Sequence, residues 1–220
     1  MKTILGILLI PFCIGSVIAL SKTTFNGPIT GWTEMTAGFF VWILIFFFLP
    51  KPTRIYVFGH EFTHAIWTWI LGGKVKGMKI GSKEGYVLST KPSFLISLSP
   101  YFFPIYTFLV ALIFFIGNFF WNWSSYYPYF YFLIGVAYAF HITMTFYTLK
   151  TEQTDLSSQS YAFSASIIFI GNMLVLLIGI PLIISKGGIL NSLNVWIESS
   201  IEIYQKVFDF FFKNIIPLFK

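Results

Sequence analysis

Residues 58 to 65 read Phe-Gly-His-Glu-Phe-Thr-His-Ala and lie inside an apolar part of the chain. They contain the H-E-x-x-H spacing, in which the two histidines are one helical turn apart and can reach one metal ion. Glu61 lies beside His60 and His64, where it can act on a water molecule as a general base. The chain has only 3 histidines and 8 acidic residues among 220. An ionisable trio in an apolar segment is costly without a function, so a metal site is favoured over two packed histidines.

The composition is that of a polytopic membrane protein. Hydrophobic residues make up 56% of the chain, charged residues make up 10%, and the mean hydropathy is +0.78. Soluble domains carry about 25% charged residues. The net charge of +6 suits anionic lipid headgroups, and the sequence has neither a glycine-rich phosphate loop nor a basic-aromatic motif. We therefore expect contact with a lipid bilayer and no nucleic-acid partner. Cys13 is the one cysteine, which excludes an internal disulfide and a cysteine-based metal cluster.

Six apolar windows are long enough to be interpreted as membrane spans. They are residues 3–20, 35–50, 55–72, 93–120, 129–149 and 161–185. The fourth window contains Pro100 and Pro104, which predict a bend. The first window is interpreted as a retained span, with a signal peptide as the alternative because Lys2 precedes it and small residues follow. The predicted fold class is an all-α integral membrane protein with about six transmembrane helices.

A different pattern follows the third window. Two short β-prone runs, residues 75–80 and 86–88, flank the turn sequence Gly-Ser-Lys-Glu-Gly at 81–85. This pattern predicts a β-hairpin at the membrane surface, with a solvated basic loop as the alternative. Several lysines lie in or near the segment, and placing it in the cytosol obeys the positive-inside rule. The same orientation puts Lys51 and Arg54 outside, against the rule, so charge alone leaves the topology open, although the longer and richer lysine loop has more weight. The lysines are Lys74, Lys76, Lys79, Lys83 and Lys91.

The tail, residues 191–220, is predicted to form an amphipathic helix. Its apolar positions recur at helical spacing: Leu193, Ile197, Ile201, Tyr204, Phe208, Phe211 and Ile215. Two favourable i,i+4 charge pairs, Glu202–Lys206 and Asp209–Lys213, lie mainly on the other side. An interfacial helix is favoured over a partner-binding helix. The expected organisation is an N-terminal span and loop at 1–34, a core at 35–190 and this helix at 191–220.

A catalytic zinc site commonly uses three protein ligands, so a third is needed. The candidates that the sequence leaves open are His141 in the fifth window and Glu152 and Asp155 in the polar link after it. On a helix, His141 would share a polar stripe with Thr145 and Thr148. We hypothesise that this stripe orients ligands or lines a water path. The alternative is that the hydroxyls bond to their own helix carbonyls and that His141 packs in the interior.

The chain resembles the site-2 protease family of intramembrane zinc metalloproteases. The matching residues are 58–65, the Gly72-Gly73 pair that closes this span, and the hairpin residues Gly85, Tyr86 and Val87; the resemblance covers about residues 53–185. Family members have a metal-binding aspartate near a later span, which implies Asp155 as the third ligand. The family's usual Asn-Pro and Asp-Gly pairs around that aspartate are absent here.

The resemblance implies an enzyme with one zinc ion per chain. It would hydrolyse peptide bonds of membrane-embedded protein or peptide substrates, with zinc activating a water molecule and Glu61 as the general base. Gly85, Tyr86 and Val87 would hold an unwound substrate segment as an added strand. The alternative is a non-catalytic membrane protein of the same fold that binds membrane partners or metal, although an intact Glu61 favours the enzyme. The compact, undecorated chain favours the cytoplasmic membrane of a prokaryote.

Overall fold

The computed structural model is mostly helical and contains a small two-stranded antiparallel sheet. The structure describes residues 1–24, 31–82, 84–150, 154–157, 159–184 and 188–214. In chain order, the elements are α1 (Lys2–Leu8), α2 (Ile10–Thr24), α3 (Trp32–Phe48), α4 (Thr53–Ile70), β1 (Val75–Ile80), β2 (Gly85–Ser89), α5 (Phe94–Leu98), α6 (Ile105–Trp121), α7 (Tyr127–Thr148), α8 (Thr154–Ser157), α9 (Tyr161–Ile183) and α10 (Ile189–Asn214).

The chain divides into two compact units. The first unit is formed by residues 1–28 together with 159–220, and it contains α1, α2, α9 and α10. The second unit is formed by residues 29–158, and it contains the other helices and both strands. The H-E-x-x-H residues and Asp155 all belong to the second unit.

Several helices are long and apolar enough to cross a membrane, which indicates a membrane protein. Within the described ranges these are Lys2–Thr24, Trp123–Thr148 and Tyr161–Ile183, with the bent pair Phe94–Tyr101 and Ile105–Trp121 as a fourth candidate. The two other predicted windows fall on α3 and α4. The first is apolar but has 17 residues, and the second has 18 residues that include Arg54 and the H-E-x-x-H side chains. Length and composition thus support three to four spans.

The bend predicted at the two prolines is confirmed. The axes of Phe94–Tyr101 and Ile105–Trp121 differ by 76°. Pro100 lies in a 3₁₀ turn, Ser99–Tyr101, and Pro104 immediately precedes α6. Because proline has no N–H to donate and its ring clashes with the preceding turn, the helix cannot continue through this segment.

The predicted hairpin is also confirmed, and its location at the membrane surface stays a prediction. After α4 ends, Gly72 has a φ of 77°, a left-handed conformation that glycine adopts without steric cost, and the chain turns into β1. Met78 pairs with Val87 and Ile80 with Gly85, and a bulge lies between Val75 and Gly77. Both strands pack against α4, so the hairpin lies beside the H-E-x-x-H helix.

Close packing of α3 against α7 forms the core of the second unit. A Cβ placed on Gly38 would lie 2.0 Å from the carbonyl oxygen of Phe132, so only glycine permits this approach. Trp42 packs edge-on against Phe140, with ring centroids 5.1 Å apart, and its indole nitrogen donates to Thr143 Oγ1 at 2.8 Å. Tyr56 of α4 belongs to the same buried cluster as Trp42 and Phe140, so α4 also contacts this core.

In the first unit, α10 packs on α2 through small and aromatic residues. Ser192, Ser199 and Ser200 are buried, whereas Ile197 and Ile201 of the predicted apolar stripe are exposed. Trp196 Nε1 donates to the carbonyl of Phe12 at 2.9 Å, and a Cβ on Gly15 would lie 2.2 Å from Ser200 Oγ. Close helix approach through small residues is typical of packing in membranes.

Candidate metal centre

Helix α4 carries the first three functional side chains. His60 and His64 lie one turn apart, with ring centroids 4.9 Å apart and planes at 81°. Glu61 is the next residue and is buried, at 5% exposure. The helical period alone explains why both imidazoles lie on one face.

Asp155 of α8 completes the group. Its Oδ2 atom lies 3.4 Å from Nε2 of His60 and 3.4 Å from Nε2 of His64. One ligand atom from each of the three residues can be chosen so that all lie within 4.8 Å of one another, and the group could hold a metal ion. The aspartate is 95 residues from His60 along the chain, so this arrangement depends on the tertiary structure.

The other two candidates for the third ligand, His141 and Glu152, are not among the three residues that the structure groups together. His141 is buried in α7 and is not part of the group of three. Glu152 lies outside the described residues. Asp155 is therefore the candidate that the described structure brings to the two histidines.

A carbonyl group of α5 orients His64. Nδ1 of His64 lies 2.7 Å from the carbonyl oxygen of Ile96. Because a carbonyl only accepts, Nδ1 is the donor, and Nε2 is the nitrogen that faces Asp155. A hydrogen bond from the second ring nitrogen is how proteins commonly orient histidine ligands toward a metal.

Tyr101 contacts two of the three candidate ligands, and nothing in the sequence pattern identifies it. Its hydroxyl donates to Asp155 Oδ2 at 3.3 Å, and its ring packs edge-on against His60 at a centroid distance of 5.2 Å. Tyr101 comes directly after Pro100 in the break between α5 and α6. The proline could have indicated the break, but no spacing rule relates Tyr101 to a residue 54 positions later.

The environment keeps Asp155 ionised. Burial raises the pKa of its carboxyl group, but the imidazoles of His60 and His64 beside it lower the pKa by more, so it lies well below its ordinary value. An ionised carboxylate is the form that binds a metal ion.

An open cleft of about 1000 Å³ borders the group. The three candidate ligands, Glu61 and the residues of β2 line it. Gly85 approaches Glu61 so closely that an added Cβ would lie 2.9 Å from Glu61 Oε1. The hairpin residues that the sequence suggested as substrate contacts, Gly85, Tyr86 and Val87, therefore lie in the same cleft as the candidate ligands.

The threonines of the predicted polar stripe contact Tyr56, and Thr148 also lines the cleft that borders the candidate ligands. The Tyr56 hydroxyl lies 3.3 Å from Thr145 Oγ1 and accepts from Thr148 Oγ1 at 3.2 Å. The Met144 carbonyl of the same helix lies 3.1 Å from Thr148 Oγ1 and is an alternative acceptor for the same hydroxyl hydrogen. The stripe thus lies beside the helical turn that precedes His60.

The donor set fits zinc. Two imidazole nitrogens and one carboxylate oxygen are common ligands of catalytic zinc, at about 2.0–2.2 Å from the ion. Two ligands at that distance from a tetrahedral ion lie about 3.3 Å apart, and both separations from Asp155 Oδ2 are 3.4 Å. His60, His64 and Asp155 are therefore suitable ligands for such an ion.

Comparison of the chain with protein-family models, with curated protein sequences and with solved structures finds no match. The function of the chain is therefore inferred from its own residues.

Proposed function

We propose that the protein is an intramembrane zinc metalloprotease similar to the site-2 proteases. The observation that carries the proposal is the convergence of His60, His64 and Asp155, with Glu61 beside them in the same cleft. A purely metal-binding protein has no need of a buried carboxylate next to its ligands that can act as a base. The alternative is a non-catalytic membrane protein of the same fold that binds membrane partners or metal.

In this proposal each residue has a separate role. His60, His64 and Asp155 would hold the zinc ion, which supplies Lewis-acid polarisation of a carbonyl group and activation of water. Glu61 would accept a proton from the attacking water and later deliver it to the nitrogen of the leaving amine. The peptide C–N bond breaks, so one water molecule is consumed for each bond cut.

The substrate would be a membrane-embedded segment that unwinds before it is cut, because a helix hides its carbonyls in its own hydrogen bonds. The register of the hairpin supports an added strand at β2. Gly81 N–H donates to the carbonyl of Glu84 at 2.8 Å, so the backbone groups of Tyr86 and Leu88 face β1. Those of Gly85 and Val87 then point away from β1, where an extended peptide could pair with them.

The site would lie at membrane depth. We propose that α3 and α4 join the other candidate spans to give about six transmembrane segments, with the second unit as the protease core. A buried Glu61 and two histidines on α4 are costly in lipid unless they face a cleft that admits water. The cleft beside β2 supports this arrangement because His60, Glu61 and His64 all line it.

The test is to purify the full chain in detergent, measure its zinc content, and reconstitute it with a single-span peptide labelled at both ends. We expect about one zinc per chain and cleavage within the span. Glu61→Gln should retain zinc and lose at least about a hundredfold in cleavage rate, since general-base catalysis contributes about 10² to 10⁴. Zinc binding without Glu61-dependent cleavage would support the non-catalytic alternative. A wild-type chain that takes up no zinc would contradict the proposal.

A further inference from the structure

One short segment contacts all three candidate ligands and forms hydrogen bonds with two of them. The carbonyl of Ile96 accepts from His64 Nδ1 at 2.7 Å, and the Tyr101 hydroxyl donates to Asp155 Oδ2 at 3.3 Å. Both residues belong to the bent region between the start of α5 and the start of α6. The break in the span therefore brings a backbone acceptor and a phenol donor to the candidate ligands.

The segment holds Tyr101 firmly. Its side chain is completely buried, at 0% exposure. The 3₁₀ turn Ser99–Tyr101 is closed by a hydrogen bond from the Phe102 N–H to the Ser99 carbonyl at 3.2 Å, and the Phe103 N–H donates to the same carbonyl at 2.8 Å. Ser99 Oγ donates to the same Ile96 carbonyl that accepts from His64, at 3.0 Å. A buried donor in a closed turn has few alternative positions, so it can fix the group to which it donates.

Asp155 depends on outside support for its orientation. It lies in α8, which has only four residues, Thr154–Ser157. A helix of one turn is not stable by itself, because one turn does not repay the entropy of nucleation. The side chain of Asp155 is partly exposed, at 27%. Contacts from neighbouring elements must therefore hold the carboxylate toward the histidines.

We propose that Tyr101 is a positioning residue for the third metal ligand, and that its hydroxyl fixes Oδ2 of Asp155 toward Nε2 of His60 and His64. A carboxylate oxygen has a second lone pair, so it can accept from Tyr101 and still bind an ion. The inference rests on the proposed function, because it assumes that the three residues bind metal.

A second buried tyrosine provides a matched control. Tyr56 and Tyr101 both pack a ring near His60, at centroid distances of 5.8 Å and 5.2 Å. The two hydroxyls have different partners, since that of Tyr56 contacts Thr145 and Thr148. Replacing either tyrosine by phenylalanine removes one buried hydroxyl and keeps the ring. Only the replacement at Tyr101 should change the metal ligands.

The experiment measures zinc affinity of the detergent-purified full chain by competition with a chelator, for the wild type, Tyr101→Phe and Tyr56→Phe. We expect Tyr101→Phe to bind zinc about tenfold more weakly, the lower end of the effect of losing such a partner. Tyr56→Phe should stay within about twofold of the wild type. With Co²⁺ in place of zinc, Tyr101→Phe should alter the visible absorption bands and Tyr56→Phe should not.

A further measurement separates positioning from packing. In an Asp155→Ala background, Tyr101→Phe should cause no additional loss of metal affinity, because its hydroxyl acts through Asp155. Equal losses in both phenylalanine variants, an additional loss in the Asp155→Ala background, or unchanged affinity in Tyr101→Phe would overturn the inference while leaving the proposed protease intact. A wild-type chain that binds no zinc would overturn both.

Discussion

Gly85 of the hairpin lies directly against the side chain of Glu61. A Cβ built on Gly85 would lie 2.7 Å from Cγ and 2.9 Å from Oε1 of Glu61, and 2.8 Å from the carbonyl oxygen of Lys79. The last of these is backbone and cannot rotate away. The first residue of β2 therefore has no space for a side chain, and the strand is held next to the candidate general base.

We expect Gly85→Ala to displace β2 from Glu61. The cleavage rate should fall between about tenfold and a hundredfold, since a misplacement of about 1 Å can cost a hundredfold. The free energy of unfolding should fall by about 1–3 kcal/mol because of overpacking. Zinc content should not change, because the three atoms nearest to an added Cβ at position 85 belong to Glu61 and Lys79 and not to the candidate ligands. Cleavage, thermal unfolding and zinc content check this prediction.

Gly77→Ala is the matched control for that variant. A Cβ on Gly77 would meet only the Leu88 side chain, at 3.5 Å, an ordinary van der Waals distance. Its stability should stay within about 0.5 kcal/mol of the wild type, with unchanged cleavage. Full activity in Gly85→Ala would mean that the position of β2 against Glu61 is unimportant for the reaction.

Asp155→Ala should greatly weaken zinc binding, because two histidines alone leave the ion with an incomplete ligand set. Glu152→Ala should retain about one zinc per chain, which we would measure by elemental analysis of detergent-purified protein. This pair decides between two acidic residues of the same polar link. Zinc lost from the Glu152 variant and retained by the Asp155 variant would move the third ligand to Glu152.

His141→Ala should retain zinc and lose stability. The side chain is buried in α7 and its ring lies 6.4 Å from that of Tyr138, whereas the metal group consists of other residues. Removing a buried polar side chain and leaving a cavity should lower the free energy of unfolding by about 1–3 kcal/mol. Zinc content and thermal unfolding measure the two effects. Loss of zinc would identify His141 as a ligand, and lost cleavage with zinc retained would support its proposed role in a water path.

Gly15→Ala should weaken the packing of α2 on α10. The added Cβ would lie 2.2 Å from Ser200 Oγ and 2.8 Å from the backbone nitrogen of Ser200, so the two helices must separate. We expect a loss of about 1–3 kcal/mol in the free energy of unfolding, measured by thermal or denaturant unfolding in detergent. Gly179→Ala in α9 is the control, because a Cβ there has nothing within 4 Å. Equal stability of the two variants would mean that this helix contact contributes little.

Local patterns allowed much of the site to be predicted. The i,i+4 spacing brings His60 and His64 together, and it needs only a helix at that position. The hairpin and the bent span follow from a glycine-rich turn and from two prolines, which act on the backbone within a few residues. Each of these features is decided by neighbours in the sequence.

The face by which α10 packs on α2 was less predictable. The apolar stripe containing Ile197 and Ile201 is the side expected to face lipid, and these two residues are exposed. The face that packs on α2 instead contains Ser199 and Ser200, which hydropathy ranks as polar. Small residues let two helices approach closely, and hydrophobicity by itself does not indicate such a surface.

The sequence by itself determined the pair of histidines, the adjacent glutamate and the apolar character of the chain, because helical periodicity and composition are local properties. Only the tertiary structure decided which acidic residue meets the histidines, that Ile96 orients His64, and that Tyr101 reaches Asp155. These contacts join residues 32 to 95 positions apart. Such contacts depend on how helices pack and where a span breaks, and no spacing rule within one segment encodes that packing.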